Sequence, residues 1–435
     1  MELEMYQEYF KQGEVLLSTG NQEEAMKYFK KAEAIDPQHC ELYINMGIIC
    51  ANQDKLDEAE KTFKKALLVD KKCGEAYFHM ACIAGLKEDL GQAIKYIDMA
   101  KLNGYDNAQL YFTLGMVYEE QDNINMALRN YNKALVMEPV RADIHLQKCN
   151  LLLQGGRKEE AIAALDAMIL NCPDYFEGYH LKCGTLSGLG RYDEAEKVLN
   201  EALELFPQEV GFKLDRAKIL ISQKKYDEAE NILVELEKEG DEWKREIILE
   251  QVRIAGSQEN VEKTIALLER AYKECREDGK PDEEVCYLLL SVYMSAKKYD
   301  EIIKIAKEVL AVTKNNTYSN IASFYYAEAL SKQNDEQEAR KVYEDTIRKC
   351  RATVLENPAA VDAYMIRALC LNRLKENDKA LEMVDYVLAL APNSPEVHSA
   401  RAVILKDMGL TAEMEKEVQI INQLGGKLGE IMSAL

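Results

Sequence analysis

A chain of 435 residues with 55 Lys and Arg against 76 Asp and Glu carries a formal net charge of −21. Such an acidic surface repels phosphate backbones and anionic headgroups, which argues against nucleic acid and membrane as partners. The length exceeds what one ordinary core fills, yet eight prolines, twenty-two glycines and the lack of any Ser/Gly-rich or Pro-rich run mark no seam between unrelated domains.

No apolar run reaches the roughly twenty residues of a membrane span. Met1-Glu2-Leu3-Glu4 opens without the basic and apolar stretches of a secretory leader. Eleven cysteines occur without a C-x-x-C pair or a compact disulfide framework. Together these predict a reducing, cytoplasmic setting.

From the N-terminus onward the chain repeats itself. Ala25, Ala59, Ala93, Ala127, Ala161, Ala195 and Ala229 follow at intervals of 34. Tyr9, Tyr43, Tyr77, Tyr111, His145 and Tyr179 keep the same interval, as do Gly13, Gly47, Ala81, Gly115, Cys149, Cys183 and Ala217. So do Phe29, Phe63, Ile97, Tyr131, Leu165, Leu199 and Leu233, and Ala32, Ala66, Ala100, Ala134 and, two intervals on, Ala202 line up in a further column. Pro37, Pro139, Pro173 and Pro207 fall where each repeat closes. Small columns predict close helix approach, and large columns predict knobs that fill the remaining space. Asn21 with Glu24, Asp89 with Gln92 and Asp335 with Glu338 predict capping boxes at second helices.

Beyond Trp243 the pattern continues while its register drifts. Ala271 marks an eighth repeat, Tyr299-Asp300-Glu301 a ninth, Ala339 with Tyr343 a tenth and Ala380 with Pro392 an eleventh. A weaker twelfth starts near Pro395, with Met414 where Ala is usual. Extra residues fall at Glu277–Asp282, Asn315–Ser319 and Cys350–Pro358, the last predicted to lengthen a helix. Leu428, Ile431, Met432 and Leu435 stand at helical spacing and predict a terminal cap. Departures cluster in Glu237–Asp282, where Val252 and Leu290 occupy the small column; a hinge and a rigid, differently curved stack are both open there.

The order aromatic, small, Ala, aromatic, Ala, Pro over 34 residues resembles the tetratricopeptide repeat pattern, closely from Tyr6 to Trp243. The resemblance implies an all-α fold, a right-handed superhelical solenoid of about twelve tetratricopeptide-type helix-turn-helix repeats. A regular N-terminal array of about seven repeats would span 1–243. A less regular array of about five, with the C-terminal capping helix, would continue over 244–435.

First helices of such arrays line a concave groove. Carried onto this chain, the groove has an apolar floor of Phe10, Ile44, Phe78, Phe112 and Leu146, with Ile48, Cys82 and Met116 one turn on. A polar row of Asn45, His79, Thr113 and Gln147 runs beside it. Tyr287, Phe324, Tyr325 and Met365 stand in comparable places of the C-terminal arm. Apolar anchors entering the floor while the polar row satisfies a peptide backbone would suit an extended or helical segment. The same stripe also reads as plain packing.

Some members of the family clamp a C-terminal carboxylate with Lys, Asn and Arg. The corresponding columns here hold Glu41, Glu75, Asp143 and Glu177, which oppose that mode and favour a neutral or basic segment. No phosphate loop, dinucleotide fingerprint, zinc-helix motif, nucleophile elbow or calcium loop occurs. His145, Cys149, His180 and Cys183 form a zinc-type set, but the first, second and fourth sit in packing columns. The expectation is a non-catalytic scaffold or adaptor without cofactor or metal, binding a protein or peptide. Two alternatives stand beside it: a structural or self-associating scaffold using its ends and convex face, and the sensor part of a peptide-responsive regulator. The partner's identity and the oligomeric state are not legible.

Overall fold

The computed structural model describes residues 2–240, 243–277, 279–313, 316–357 and 360–424, and the expected terminal cap at Lys427–Leu435 lies outside them. Among the described residues there are 24 α-helices, joined in consecutive pairs, and one short hairpin. None of these helices is long and apolar enough to cross a membrane. The chain divides into two compact units, Met1–Asp215 and Arg216–Leu435.

In the first unit, α1 (Glu2–Ser18) pairs with α2 (Gln22–Ile35), α3 (Cys40–Asn52) with α4 (Leu56–Val69), and α5 (Gly74–Leu86) with α6 (Leu90–Leu102). The pairs α7 (Ala108–Glu120) with α8 (Ile124–Met137), α9 (Ala142–Gln154) with α10 (Lys158–Asn171), and α11 (Phe176–Gly188) with α12 (Tyr192–Leu205) follow. First helices also meet directly, α3 on α5 and α5 on α7. The predicted columns account for these contacts. Ala25, Ala59, Ala93, Ala127, Ala161 and Ala195 are wholly buried, as are Ala32, Ala66, Ala100, Ala134 and Ala202.

Each pair is closed by one residue in the left-handed region: Gly20, Asp54, Glu88, Asp122, Gly156 and Gly190, again 34 apart. The following amide reaches back to the carbonyl five residues earlier, as in Asn21 to Leu16 (2.9 Å), Lys55 to Cys50 (3.0 Å) and Asp89 to Ala84 (2.9 Å). This six-to-one bond satisfies carbonyls that a helix end leaves orphaned. The Asp89 side chain caps α6 by accepting from the Gln92 amide at 3.0 Å. The expected cap at Asn21 is not made, because that side chain accepts no bond from its helix.

α13 (Gly211–Ser222) runs across the division at Asp215. The second unit continues with α14 (Tyr226–Glu239), α15 (Lys244–Ser257) and α16 (Val261–Glu274). Around the first expected insertion the chain forms the hairpin β1 (Arg276–Glu277) and β2 (Lys280–Pro281). Asp282 then caps α17 (Glu283–Ser295) through the Val285 amide at 2.9 Å and takes Arg245 Nε of α15 at 2.7 Å. Where the small column turns large, Val252 and Leu290 both enter the shared core of α15 to α19, so that stretch is packed.

Next come α18 (Tyr299–Val312), α19 (Thr317–Lys332), α20 (Glu336–Glu356), α21 (Val361–Arg373), α22 (Asn377–Leu390), α23 (Pro395–Asp407) and α24 (Thr411–Gln423). The insertion after Cys350 lengthens α20 to 21 residues, as expected. Asp335 caps it at the Glu338 amide, and the complete reciprocal box belongs to Asn316 and Ser319 at α19. Buried polar bonds tie α19 to α20, Asn320 to Thr353 at 3.0 Å and Ser323 to Thr346 at 2.7 Å. Glu328 accepts from Tyr343 (2.6 Å) and Arg373 (2.7 Å), fixing α19, α20 and α21 together.

Candidate functional site

The two units present first-helix faces of different kinds. In the first unit the accessible stripe is Glu41, Asn45 and Ile48 on α3, repeated as Glu75, His79 and Cys82 on α5, as Gln109, Thr113 and Met116 on α7, and as Asp143, Gln147 and Asn150 on α9. These positions are spaced i, i+4, i+7, one continuous helical face. The stripe contains the expected polar row and the floor residues one turn on, Ile48, Cys82 and Met116, and it lies one residue, about 100° of helix, from the floor positions Ile44, Phe78, Phe112 and Leu146.

Two floor residues are covered. Ile44 and Phe78 are buried, 3% and 5% exposed. Phe78 stacks on Tyr105 of the inter-repeat loop at 4.8 Å, so it joins one repeat to the next. Phe10, Phe112 and Leu146 are half-buried; Phe10 lies 5.7 Å from Phe29, and Phe112 lies 5.8 Å from Tyr131 with the Arg141 guanidinium over its ring. Gln147 spends its amide on Glu119 at 2.9 Å. Asn45, Ile48, His79, Cys82 and Thr113 are half-buried, and Met116 is exposed.

Charge in this stripe comes from the acids alone. Burial holds the His79 imidazole down to about 4, its ring stacked 5.1 Å from Phe63. Burial likewise pushes the Cys82 thiol up to about 12. Glu75 is raised by burial and then by the neighbouring Glu41 carboxylate.

The second unit brings its four sequence-predicted residues to one place. Tyr287 of α17, Phe324 and Tyr325 of α19, and Met365 of α21 line a single cavity of about 280 Å³, completed by Ile321, Val361, Ile366, Leu369 and Val397. Asp362 and Glu396 stand at it from the first turns of α21 and α23. Both carboxylates raise the Tyr287 hydroxyl, after burial, which is the larger cause. The walls are rigid: Phe324, Tyr325 and Met365 are 4%, 3% and 6% exposed, and the Glu328 network lies behind them. An apolar hollow with two carboxylates and no cation in its lining suits an apolar side chain next to a positive charge.

Asp362 and Glu396 are absent from the sequence-predicted set. The signal was present, because each is the second residue of its first helix, the column that holds Glu41, Glu75, Asp143 and Glu177 in the first unit. Register drift after Trp243 hid the equivalence. The four residues of the zinc-type set have packing roles: His145 Nε2 lies 2.9 Å from the Pro139 carbonyl, Cys149 is wholly buried, His180 pairs with Asp215, and Cys183 Sγ contacts the Ala195 carbonyl at 3.7 Å. Among the described residues no group of three His, Cys, Asp or Glu is placed to hold a metal ion.

Comparison with known families gives two models described as tetratricopeptide repeat, one over residues 16–81 and 186–245, the other over 112–175 and 350–395. A third, described as MAP3K TRAFs-binding domain, matches residues 218–370. No curated protein matches. Similar solved structures include YrrB, "a TPR protein with an unusual peptide-binding site", 21% identical with a TM-score of 0.34, covering 45% of this chain and 97% of that one. Pseudomonas aeruginosa pilF is 17% identical with a TM-score of 0.41, over 50% of this chain and 99% of that one. A tetratricopeptide repeat protein from Parabacteroides merdae is also 17% identical, with a TM-score of 0.38, over 58% and 98%.

Proposed function

Since the chain belongs to the tetratricopeptide repeat family, a fold that serves protein–protein interaction, we propose that it is a non-catalytic scaffold capturing a neutral or basic segment of another protein on its first-helix faces. The observation that carries this reading is the cavity of the second unit, in which Tyr287, Phe324, Tyr325 and Met365 converge under Asp362 and Glu396. An apolar side chain of the partner enters the hollow, and a Lys or Arg beside it meets the two carboxylates. The stripe Asn45, His79, Thr113 and Met116 offers a separate contact of the same kind on the first unit, with Glu41 and Glu75 at its edge. The likeness to a MAP3K TRAFs-binding domain over 218–370 includes α17 and α19 and agrees with a protein partner there. Eleven free thiols, seven of them buried, suit a reducing compartment such as the cytoplasm.

Magnitudes set the strength. Three apolar anchors at ~1.5–3 kcal/mol each supply about 5–9 kcal/mol. Ordering a flexible segment removes about 2–5 kcal/mol of that, which leaves micromolar or weaker binding.

Selection of displayed peptides on the intact chain is expected to enrich segments that join a large apolar side chain to Lys or Arg. The double variant Asp362→Asn with Glu396→Gln changes only exposed rim charge. It should weaken the selected peptide about threefold to tenfold at low salt and flatten its salt dependence. Enrichment of acidic segments, or equal binding by the double variant, sinks this reading.

A further inference from the structure

Behind α21, on the side away from the apolar cavity, a second opening of about 740 Å³ lies between α20 and α22. The helix separates the two sites. Asp362, Met365 and Leu369 face the first, whereas Tyr364, Arg367 and Leu371 line the second, about half a turn round.

The charges lining this cleft do not all cancel. Glu344 is paired with Arg340 at 3.0 Å, Glu376 with Lys379 at 2.6 Å, and Arg348 with Asp345 at 3.0 Å. Arg351 and Arg367 remain, neither with an ion pair among the described residues. Glu382 is the one lining carboxylate left over, and it is exposed. Arg367 Nε is buried and donates to no acceptor among the described residues. Burial and then the Arg351 charge hold the Arg367 guanidinium below the ordinary arginine range, so the two cations sense each other.

In a chain with 76 acids and 55 bases, two neighbouring guanidinium groups without an ion pair among the described residues, Arg351 acting only weakly on the already paired Glu376, call for an external anion. The rest of the wall is apolar and aromatic, with Leu371, Met383 and the rings of Tyr364 and Tyr386, whose centroids are 5.0 Å apart. We infer that this cleft binds a phosphate monoester carried on an apolar or aromatic group. Arg351 and Arg367 grip the phosphate oxygens with their planar forks, and the tyrosine pair and Met383 receive the body of the ligand.

The test is calorimetric titration of the full chain with phenyl phosphate, with inorganic phosphate and phenol as partial ligands. Phenyl phosphate is expected to bind saturably and more tightly than either part. Arg351→Gln, an exposed change that spares the fold, should weaken it at least about tenfold. Glu382→Gln, which removes the opposing charge, should tighten it, and Arg367→Gln should abolish it. Absence of saturable binding up to about 10 mM, or binding indifferent to both Arg351→Gln and Glu382→Gln, overturns the assignment. A phosphotyrosine peptide binding better than adenosine monophosphate assigns the ester to a protein side chain; the reverse order assigns it to a free metabolite. The Asp362→Asn, Glu396→Gln variant should bind phenyl phosphate unchanged, so this site and the apolar cavity succeed or fail separately.

Discussion

A Cβ placed on Gly47 would stand 2.4 Å from the Phe63 ring, and one on Gly115 would stand 2.4 Å from Tyr131. Both rings are buried, 1% and 0% exposed, in close-packed surroundings. Where the knob is smaller, its partner is larger: Ala81 goes with Ile97, Cys149 with Leu165 and Cys183 with Leu199. The pair, more than either residue, holds the helix spacing constant. Gly47→Ala should therefore cost about 1–3 kcal/mol through overpacking. Gly184, inside α11, has nothing within 4 Å of such a Cβ. Gly184→Ala should instead add about 0.5–1 kcal/mol, since glycine inside a helix is entropically costly. Denaturation midpoints of the two variants check both signs, and a tolerated Gly47→Ala would contradict the pairing.

Within a helix pair, the left-handed residue at the turn is the part that the alanine and aromatic columns do not announce. Gly20, Gly156 and Gly190 hold the position at no steric cost, but Asp54, Glu88 and Asp122 hold it against their own Cβ. Glu88, at φ 62°, is exposed and has no side-chain bond among the described residues. Relief of about 1–2 kcal/mol on Glu88→Gly exceeds the ~0.4–1 kcal/mol that glycine's freedom costs through the unfolded chain. A net gain of about 0.5–1 kcal/mol is expected, read as a raised midpoint. Gly156→Ala, at φ 69°, should lose a similar amount. The repeat unit and the long α20 were legible from spacing, because side chains at fixed intervals must share a helix face, while Tyr287, Phe324, Tyr325 and Met365 were singled out only through the family resemblance, without their convergence on one cavity. In the floor of the first unit Ile44 and Phe78 are buried while Ile48, Cys82 and Met116 are accessible, a difference that spacing does not carry, since Ile44 and Phe78 are as apolar as true anchors and Phe78 is covered by Tyr105 of the adjoining loop. The Arg351 and Arg367 pair left no trace in sequence, because the absence of a carboxylate partner is a property of three packed helices, not of spacing.

At the scale of the molecule, stabilising contacts join residues close in sequence, each helix pair to the next, and nothing requires the chain to open all at once. Hydrogen exchange followed by mass spectrometry should show Gly47→Ala loosening amides in and around α3 and α4 while those of Arg216–Leu435 keep their rates. Uniform acceleration over the whole chain would show a single cooperative unit instead. Solenoids with local contacts also fold without long searches, since few contacts must close long loops. The left-handed turn positions carry one more consequence. Because Gly20, Asp54, Glu88, Asp122, Gly156 and Gly190 are 34 residues apart and occupy the same backbone state, cutting the chain at any two of them and rejoining the ends restores an identical turn. A recombination between Asp54 and Asp122 joins Gly47 to the Tyr131 knob, again glycine against an aromatic ring, so the array is open to inheritance in whole repeats where the exchanged pairs match in size.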